Sequence, residues 1–481
     1  MHTCASEETG TESMIIHYCR RYLCVLAIIS LVAITGAGCA FEQFRERPHP
    51  FLHYTLSLED RDLNVIRVTG QILGSLQNKV VLRRFCLSGE SVFEPIGFTA
   101  MDMRGKELPF QRNENAFVVD TGRHDFTFTY TVVLTVTNRY SPNIRTMLTF
   151  IDRDRYRILG RDVLMVPELG VSDGIIIDID LNAAGDIHAA WPSIGNRTIV
   201  PTLEDLPLTM AVAGNYRHTS ATVGGTELSL AIAGDWSFGD KEFFEVICKI
   251  VSREMAMFGS SPHHRYLFVC DRNPVKGYEG FQYYGIHFSG SIILLLDQHI
   301  DPSELFDTPM SIIAHEFFHN WNGEALKPLT DDFLWFTEGA TVYYSYRVLV
   351  DVNVITPKQY DDHRRALRKR YLENPYLDGV PIGKAANNDL HDKAMVNLLY
   401  DGGFLAAEAL DEHLAALSRG RVRLIDVLKT MYERDGGRKR IDEETLLQTI
   451  RGTFGYDLSP FLKALIHTPA PQILVNGPLS S

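Results

Sequence analysis

The sequence has little of the positive charge that a nucleic-acid-binding protein needs. Its 481 residues include 47 Lys and Arg but 60 Asp and Glu, which gives a net charge of −13. Binding to a phosphate backbone depends on concentrated positive charge, and no basic run offsets the acidic excess. We therefore expect no nucleic-acid partner.

Cysteine is also scarce, with 7 in the whole chain. So few cysteines in a chain of this length do not form a disulfide scaffold. After residue 39 only Cys86, Cys248 and Cys270 remain, and their spacing resembles no zinc or redox motif. They can form at most one disulfide bridge, and buried free thiols explain them equally well.

Long apolar runs are rare, and the clearest is near the N-terminus. Residues 24–38 follow Arg20 and Arg21 and end in small residues directly before Cys39. This order is typical of an export signal, and the run is short for a transmembrane helix. It resembles a bacterial lipobox, although Gly36 stands where such sites usually carry Leu, Val or Ile.

The lipobox resemblance implies that Cys39 is lipidated and anchors an exported protein to a bacterial membrane, facing the periplasm or the cell surface. An ordinary secretory signal with an incidental cysteine is the alternative. We expect a signal peptide at 1–38 and a tether at 39–50.

The first half of the chain predicts strands. Apolar and polar residues alternate through much of 51–235, most clearly at Phe126, Phe128 and Tyr130, and this alternation is typical of half-buried strands. The apolar run 175–177 is consistent with a buried strand. We predict a β-sandwich-like domain with no catalytic residues of its own, in which 152–155 forms a solvated strand or turn.

After residue 235 the pattern changes to mainly helical. Residues 241–257 have apolar residues at helical spacing, and two strands are predicted at 266–270 and 291–296. Helices dominate from Pro309 onward, and the charged run 363–370 predicts a solvated helix face. The fold class is therefore α+β, with a mainly helical domain over 236–470 and a tail at 471–481.

One short motif carries the chemistry. His315 and His319 are separated by the spacing H-E-x-x-H, so both imidazoles lie on one face of a helix and can reach one cation. Glu316 can then hydrogen-bond a metal-bound water. Two solvated histidines are the alternative, but the segment 311–318 is otherwise strongly apolar, and buried titratable groups need partners.

A further carboxylate completes the set of ligands. Glu338 lies 19 positions after His319, within an apolar segment, 332–350, that predicts a second buried helix. Two histidines and one glutamate leave the fourth position of a zinc ion open, which is typical of catalytic zinc. The sequence therefore predicts a hydrolase that binds one Zn²⁺.

These segments resemble the glycyl-aminopeptidase family of gluzincin metallopeptidases, whose members often carry a PDZ domain. The residues after 470 are too few for such a domain. The resemblance implies a thermolysin-like catalytic domain, a peptide or protein substrate, His315, His319 and Glu338 as zinc ligands, and Glu316 as general base. The matching residues outside the metal motif are Trp321, Asn322, Pro328, Trp335 and Gly339.

The chain departs from the family pattern at two places. His391 stands where related enzymes have a tyrosine that stabilises the oxyanion. A histidine can donate the same hydrogen bond, although a solvated loop histidine explains it equally well. Ile286 falls where aminopeptidases have the Glu that binds the substrate's amine, and an apolar group cannot pair with an ammonium.

The resemblance still implies that Tyr284 and Gly285 bind substrate. We expect the strand 291–296 to be the edge on which an extended peptide pairs. Overall the sequence predicts a zinc-dependent, aminopeptidase-like peptidase. An endopeptidase of the same clan, or a catalytically impaired binding or assembly lipoprotein, is the alternative.

Overall fold

The structure is a computed structural model. It describes residues 50–60, 64–87, 90–91, 93–134, 149–152, 154–170, 174–181, 186–272, 283–297, 299–300, 308–388, 392–435 and 439–476. The predicted signal peptide, Cys39 and His391 lie outside these ranges. No helix within them has the length and apolarity to cross a membrane.

The first half of the chain is built from strands, as predicted. They are β1 (Phe51–Asp60), β2 (Val65–Leu73), β3 (Lys79–Arg83), β4 (Cys86–Leu87), β5 (Glu90–Ser91), β6 (Ile96–Asp102), β7 (Phe110–Arg112), β8 (Ala116–Asp120), β9 (Phe126–Val133), β10 (Phe150–Ile151), β11 (Arg155–Leu159), β12 (Val166–Pro167), β13 (Ile175–Asp180), β14 (His188–Ala189), β15 (Ser193–Ile194), β16 (Arg197–Val200) and β17 (Met210–Gly214). One helical turn, α1 (Gly160–Val163), follows β11.

Most of these strands belong to three sheets. The largest has the order β15-β16-β13-β1-β2-β9-β6, and two four-stranded sheets have the orders β10-β11-β17-β14 and β12-β3-β8-β7. Buried and half-buried residues alternate along all of β9, as its sequence pattern predicts. Strand β13 alternates in the same way, so its isoleucines are not a fully buried run.

The second half begins with a five-stranded sheet, formed by β18 (Arg217–Val223), β19 (Thr226–Ile232), β20 (Arg265–Arg272), β21 (Tyr284–Phe288) and β22 (Ser291–Leu296). Its order is β18-β19-β20-β22-β21. The hairpin β18-β19 precedes the predicted boundary at residue 235 and pairs with β20, which follows it.

The position of β22 corrects a prediction about substrate binding. Strand β22 pairs with β20 on one side and β21 on the other, so it cannot be an edge. Within the described residues, β21 is the edge strand on this side of the sheet. The chain turns back after β21 at Gly290, whose φ is +68°, and β22 then lies between β21 and β20. All six residues of β22 are buried, as expected of a strand inside a sheet that is covered on both faces.

Helices fill the rest of the second half, as predicted. They are α2 (Asp240–Phe258), α3 (Thr308–Phe318), α4 (Leu334–Asp351), α5 (Pro357–Leu372), α6 (Lys393–Ser418), α7 (Leu424–Asp435), α8 (Glu443–Thr449), α9 (Ser459–Ile466) and α10 (Gln472–Asn476). Two π turns (Asn320–Ala325 and Ile450–Phe454), two 3₁₀ segments (Asp331–Phe333 and Ile382–Asn387) and the short pair β23 (Leu326–Pro328) and β24 (Lys439–Ile441) connect them.

The charged stretches differ partly from expectation. Asp152 and Asp154 are exposed, as predicted. The arginines that follow them, Arg155 and Arg157, instead donate to the two carboxylate oxygens of Asp271 on β20 at 2.8 and 2.9 Å. This buried ion pair joins the two halves of the chain. In the charged run on α5 most side chains are exposed, but Arg364 is buried beside Glu408. The three cysteines in the described residues, Cys86, Cys248 and Cys270, are free thiols.

Helices α4 and α6 cross in close contact at two glycines. A Cβ on Gly339 would lie 2.2 to 2.4 Å from the backbone of Gly403, and a Cβ on Gly403 would lie 2.6 Å from the carbonyl of Trp335. Both distances are far below van der Waals contact, and the obstructing atoms belong to backbone that cannot move independently. The crossing therefore requires glycine on both helices.

We expect Gly339→Ala to lower the free energy of unfolding by about 1–3 kcal/mol, because an added methyl group overpacks the crossing. The measurement is chemical denaturation beside Gly379→Ala, since nothing lies within 4 Å of an added Cβ at that glycine. Equal stability of the two variants would contradict this account of the crossing.

A carboxyl group lies in the core without a partner. Glu254 on α2 is fully buried, and neither of its carboxylate oxygens has a hydrogen-bond partner in the part of the chain that the structure describes. Burial raises the pKa of this carboxyl well above its ordinary value of 4.5. The folded protein thus holds Glu254 protonated at a pH where the unfolded chain ionises it.

Because the folded state binds this proton more tightly, the free energy of unfolding should fall as pH rises above about 4.5 toward the raised pKa. We expect Glu254→Met to remove that decrease and to raise the free energy of unfolding by about 1–3 kcal/mol at pH 8. Denaturation at pH 5 and pH 8 measures both effects. Glu245→Met, at an exposed position on the same helix, is the control, and a Glu254→Met variant less stable than wild type at pH 8 would refute the prediction.

Candidate metal centre

Helix α3 presents two histidines toward one point. Pro309 lies in the first turn of α3, where a missing N–H is harmless, and the helix continues to Phe318. His315 and His319 are one turn apart, and their Nε2 atoms lie 3.0 Å from each other. Their rings are nearly perpendicular, so the pair does not stack but directs two nitrogens into one space.

Helix α4 supplies the third ligand atom. Glu338 Oε2 lies 3.3 Å from His315 Nε2 and 3.5 Å from His319 Nε2. It is buried and has no hydrogen-bond partner within the described residues. Among those residues this is the cluster of three ligand-type side chains whose atoms all lie within 4.8 Å of one another.

The electrostatics of the cluster favour a cation. Burial by itself would lower the pKa of His319, but the Glu338 carboxylate outweighs burial and raises that pKa to about 9. Burial would raise the pKa of Glu338, but His319 and His315 hold it well below its usual range. Positive charge between these groups is therefore stabilised.

The π turn after α3 fixes both sides of the cluster. The Nδ1–H of His319 donates to the carbonyl of Asn322 at 2.9 Å, which leaves Nε2 as the free acceptor. The Asn322 side chain donates to the carbonyl of Thr337 and to Thr341 Oγ1 on α4. Gly323 has φ +150°, and a Cβ there would lie 3.0 Å from His319 Nδ1, so the turn requires glycine.

The edge strand β21 lies directly against the general-base candidate. A Cβ on Gly285 would come within 3.0 Å of Glu316 Cγ and 2.2 Å of Ile312. Glu316 itself has no hydrogen bond or ion pair in the described part of the chain. The structure therefore places Gly285 beside Glu316.

The remaining predicted residues are more dispersed. Tyr284 and Ile286 pack against the apolar cluster on the sheet face formed by Leu267, Val269 and Leu295. This is the opposite face from the one that contacts the helices. Nothing is described for His391, which lies just before α6.

Four residues near the centre were not foreseen as parts of it. The ring of Tyr400 on α6 lies 6.1 Å from that of His315, and His263, His287 and Glu324 form a polar group beside His319. Glu324 is five residues after His319, and His287 is two residues after Gly285. This closeness in sequence to predicted site residues could have identified both. Tyr400 stands in the segment 392–401, which also resembles the family, but a tyrosine on an apolar helix is most often a core residue.

Residues 308–397 match the profile described as M61 glycyl aminopeptidase. This range contains His315, Glu316, His319 and Glu338. The predicted resemblance to the glycyl aminopeptidase family is thus confirmed. No curated protein sequence matches the chain.

Solved structures support the predicted α+β fold. An aminopeptidase N family protein from Idiomarina loihiensis has a TM-score of 0.73 at 18% identity, over 87% of this chain and 76% of that chain. A mutant M1 zinc metallopeptidase from Deinococcus radiodurans, bound to a Tyr-Ser-Ala substrate, has a TM-score of 0.56 at 12% identity, over 88% and 95% of the two chains. At these identities the likeness concerns the fold.

The residues of this centre fit a zinc ion. Two neutral imidazole nitrogens and one carboxylate oxygen are the ligand set of catalytic zinc sites. One cation could contact Glu338 Oε2 and the two facing nitrogens at once. The fit is one of ligand type and convergence, and it involves His315, His319 and Glu338.

We expect Glu338→Gln to weaken zinc binding by at least about 10- to 100-fold. That is the loss caused by mutating a residue that only hydrogen-bonds a metal ligand, and Glu338 is itself a ligand candidate. Glu316→Gln should bind zinc as wild type does, because its carboxylate is not one of the converging ligands. Metal analysis after dialysis, with the thermal shift on adding zinc, measures both. A Glu338→Gln protein with full zinc content would show that the ligand set is different.

Proposed function

We propose that this protein is a zinc-dependent peptidase of the aminopeptidase-like type. The observation that carries the proposal is that three converging zinc-type ligands, the carboxylate of Glu316 and the edge strand β21 lie next to one another. The M61 match supports the same reaction class. We also propose that Cys39 anchors the exported protein to a bacterial membrane by a lipid.

His315, His319 and Glu338 would hold one zinc ion. When bound, zinc acts as a Lewis acid that lowers the pKa of water and polarises the scissile carbonyl. Glu316 acts as general base: its carboxylate accepts the proton of the attacking water and then donates it to the nitrogen of the leaving amine. Helix α3 holds Glu316 next to His315. The same carboxylate can therefore accept the proton from the water and donate it to the leaving amine.

Strand β21 is the proposed site of peptide binding. It pairs with β22 on one side and is the last strand of the sheet on the other. An extended peptide can add to such an edge through main-chain hydrogen bonds. Because Gly285 brings this edge within contact of Glu316, a bound peptide would present its carbonyl beside the general base.

A second candidate function is endopeptidase activity, and Ile286 favours it. The side chain of Ile286 packs on the apolar sheet face away from α3, so it offers no charge to a substrate's free amine. Burying an unpaired ammonium is costly. A peptide without a free amine in the cleft avoids that cost.

The test is a mass-spectrometric digest of a mixed peptide library by the zinc-loaded protein that lacks residues 1–39. We expect cleavage by wild type and a loss of at least about a hundredfold in rate for Glu316→Gln, with zinc retained. Products shortened by one N-terminal residue establish an aminopeptidase, and internal cuts establish an endopeptidase.

The matched control is Glu245→Gln, an exposed glutamate far along the sequence on α2, which should cleave as wild type does. Cleavage by Glu316→Gln at the wild-type rate would refute the role of Glu316. No cleavage by any variant would refute the peptidase proposal and favour a binding role for the same cleft.

A further inference from the structure

A second buried carboxylate lies next to the metal centre and is absent from the catalytic scheme. Glu324 is in the π turn that follows α3, and its backbone N–H donates to the carbonyl of the zinc-ligand candidate His319 at 2.8 Å. Its side chain is only 13% exposed. The carboxylate is thus fixed to the end of the metal-binding helix.

The Glu324 carboxylate collects contacts from separate elements of the fold. Its Oε2 lies 3.1 Å from His263 Nε2, in the loop before β20, and 3.0 Å from His287 Nε2, on the edge strand β21. Its Oε1 accepts a hydrogen bond at 2.9 Å from the hydroxyl of Ser289, in the turn that ends β21. We call these four residues the Glu324 cluster.

The cluster is tied to further groups on either side. The phenol of Tyr266 lies 3.2 Å from His287 Nδ1, so both ring nitrogens of His287 are engaged and neither is left for a metal ion. The Ser289 hydroxyl also lies 3.1 Å from a carboxylate oxygen of Asp205, in the N-terminal half. The single proton of Ser289 is therefore shared between two carboxylates.

The charge of Glu324 is what makes these contacts possible. Burial would raise the pKa of its carboxyl, but hydrogen bonds from His263 and His287 keep that pKa well below the usual range. An ionised carboxylate can accept from both imidazoles and the hydroxyl together. A neutral amide of the same shape would direct an NH₂ group toward N–H donors and lose part of the set.

The Glu324 cluster lies between the edge strand β21 and the end of helix α3. Residues 287 and 289 belong to or directly follow β21, while Glu324 belongs to the turn that orients His319. The rings of His287 and His319 are 6.3 Å apart. A shift of Glu324 would therefore change the separation between the edge strand and the metal-binding helix.

We propose that Glu324 is a positioning residue that holds β21 against the end of α3, so that a peptide on this strand is aligned with the metal centre and Glu316. This inference rests on the proposed peptidase function. It assigns Glu324 no contact with substrate or zinc. Misplacement of a substrate by about 1 Å can reduce a rate by about 100-fold, so a small movement of β21 is enough for a measurable effect.

The test compares the zinc-loaded wild type with Glu324→Gln and with the exposed control Glu245→Gln. Three properties are measured: kcat/KM on a cleaved library peptide, affinity for acetohydroxamate, and amide exchange in residues 284–288. Acetohydroxamate is a small zinc-directed probe that does not need the edge strand. For Glu324→Gln we expect kcat/KM to fall about 10- to 100-fold and exchange in 284–288 to quicken. Zinc content and acetohydroxamate affinity should stay as in wild type.

Unchanged kcat/KM and unchanged exchange in Glu324→Gln would overturn the proposal, as would loss of acetohydroxamate affinity in parallel with kcat/KM. If Glu324→Gln does not fold, Ser289→Ala removes a single contact of the cluster. It should quicken exchange in 284–288, and unchanged exchange would overturn the proposal. If wild type cleaves no peptide, the peptidase proposal fails, whereas the exchange of residues 284–288 still decides whether Glu324 holds the strand.

Discussion

Two imidazoles and a carboxylate must share one half-buried space, and much of the second half of the chain is arranged to allow this. The three groups come from two helices, α3 and α4, so those helices must lie close together and keep a fixed register. Desolvated polar groups are costly unless they are partnered. The partners here are supplied by the mutual contacts of the cluster, by the Asn322 turn and, in the proposed function, by zinc.

The elements that carry these groups also lie unusually close to their neighbours, at two glycines. Gly339 follows Glu338 directly and lets α6 approach α4 more closely than any side chain would permit. Gly285 does the same between β21 and α3. Each glycine stands where an element that carries a functional group meets a neighbour, so shape and chemistry depend on the same positions.

The N-terminal half takes part in this arrangement as well as preceding it. Asp271 on β20 accepts from Arg155 and Arg157 of that half and from Tyr216, and Asp205 reaches the turn after β21 through Ser289. Both contacts join the N-terminal half to the sheet that carries the edge strand. Buried polar networks fix the relative positions of the elements they join more than they stabilise the fold. In the proposed function, those elements must align a substrate.

The sequence by itself determined the metal motif, the predominance of strands before helices, the extent of many elements and the resemblance to the glycyl aminopeptidase family. These features follow from local spacing: four residues per helix turn place two histidines on one face, and alternation along a strand separates its faces. The likeness to solved structures supports the same fold. Local pattern also fixed the strand 291–296 to the residue.

Only the tertiary structure decided which strand is the edge, which charges are buried and which residues surround the metal centre. Strand β22 has the apolar pattern of any buried strand, and its place between β20 and β21 depends on long-range pairing. Arg157 has the same local pattern as a solvated arginine until Asp271, 114 residues away in sequence, is placed beside it. The Glu324 cluster combines residues from three separate segments, and no spacing along the chain encodes their meeting. Contacts between distant segments depend on how whole elements pack, and that packing is decided by the complete fold.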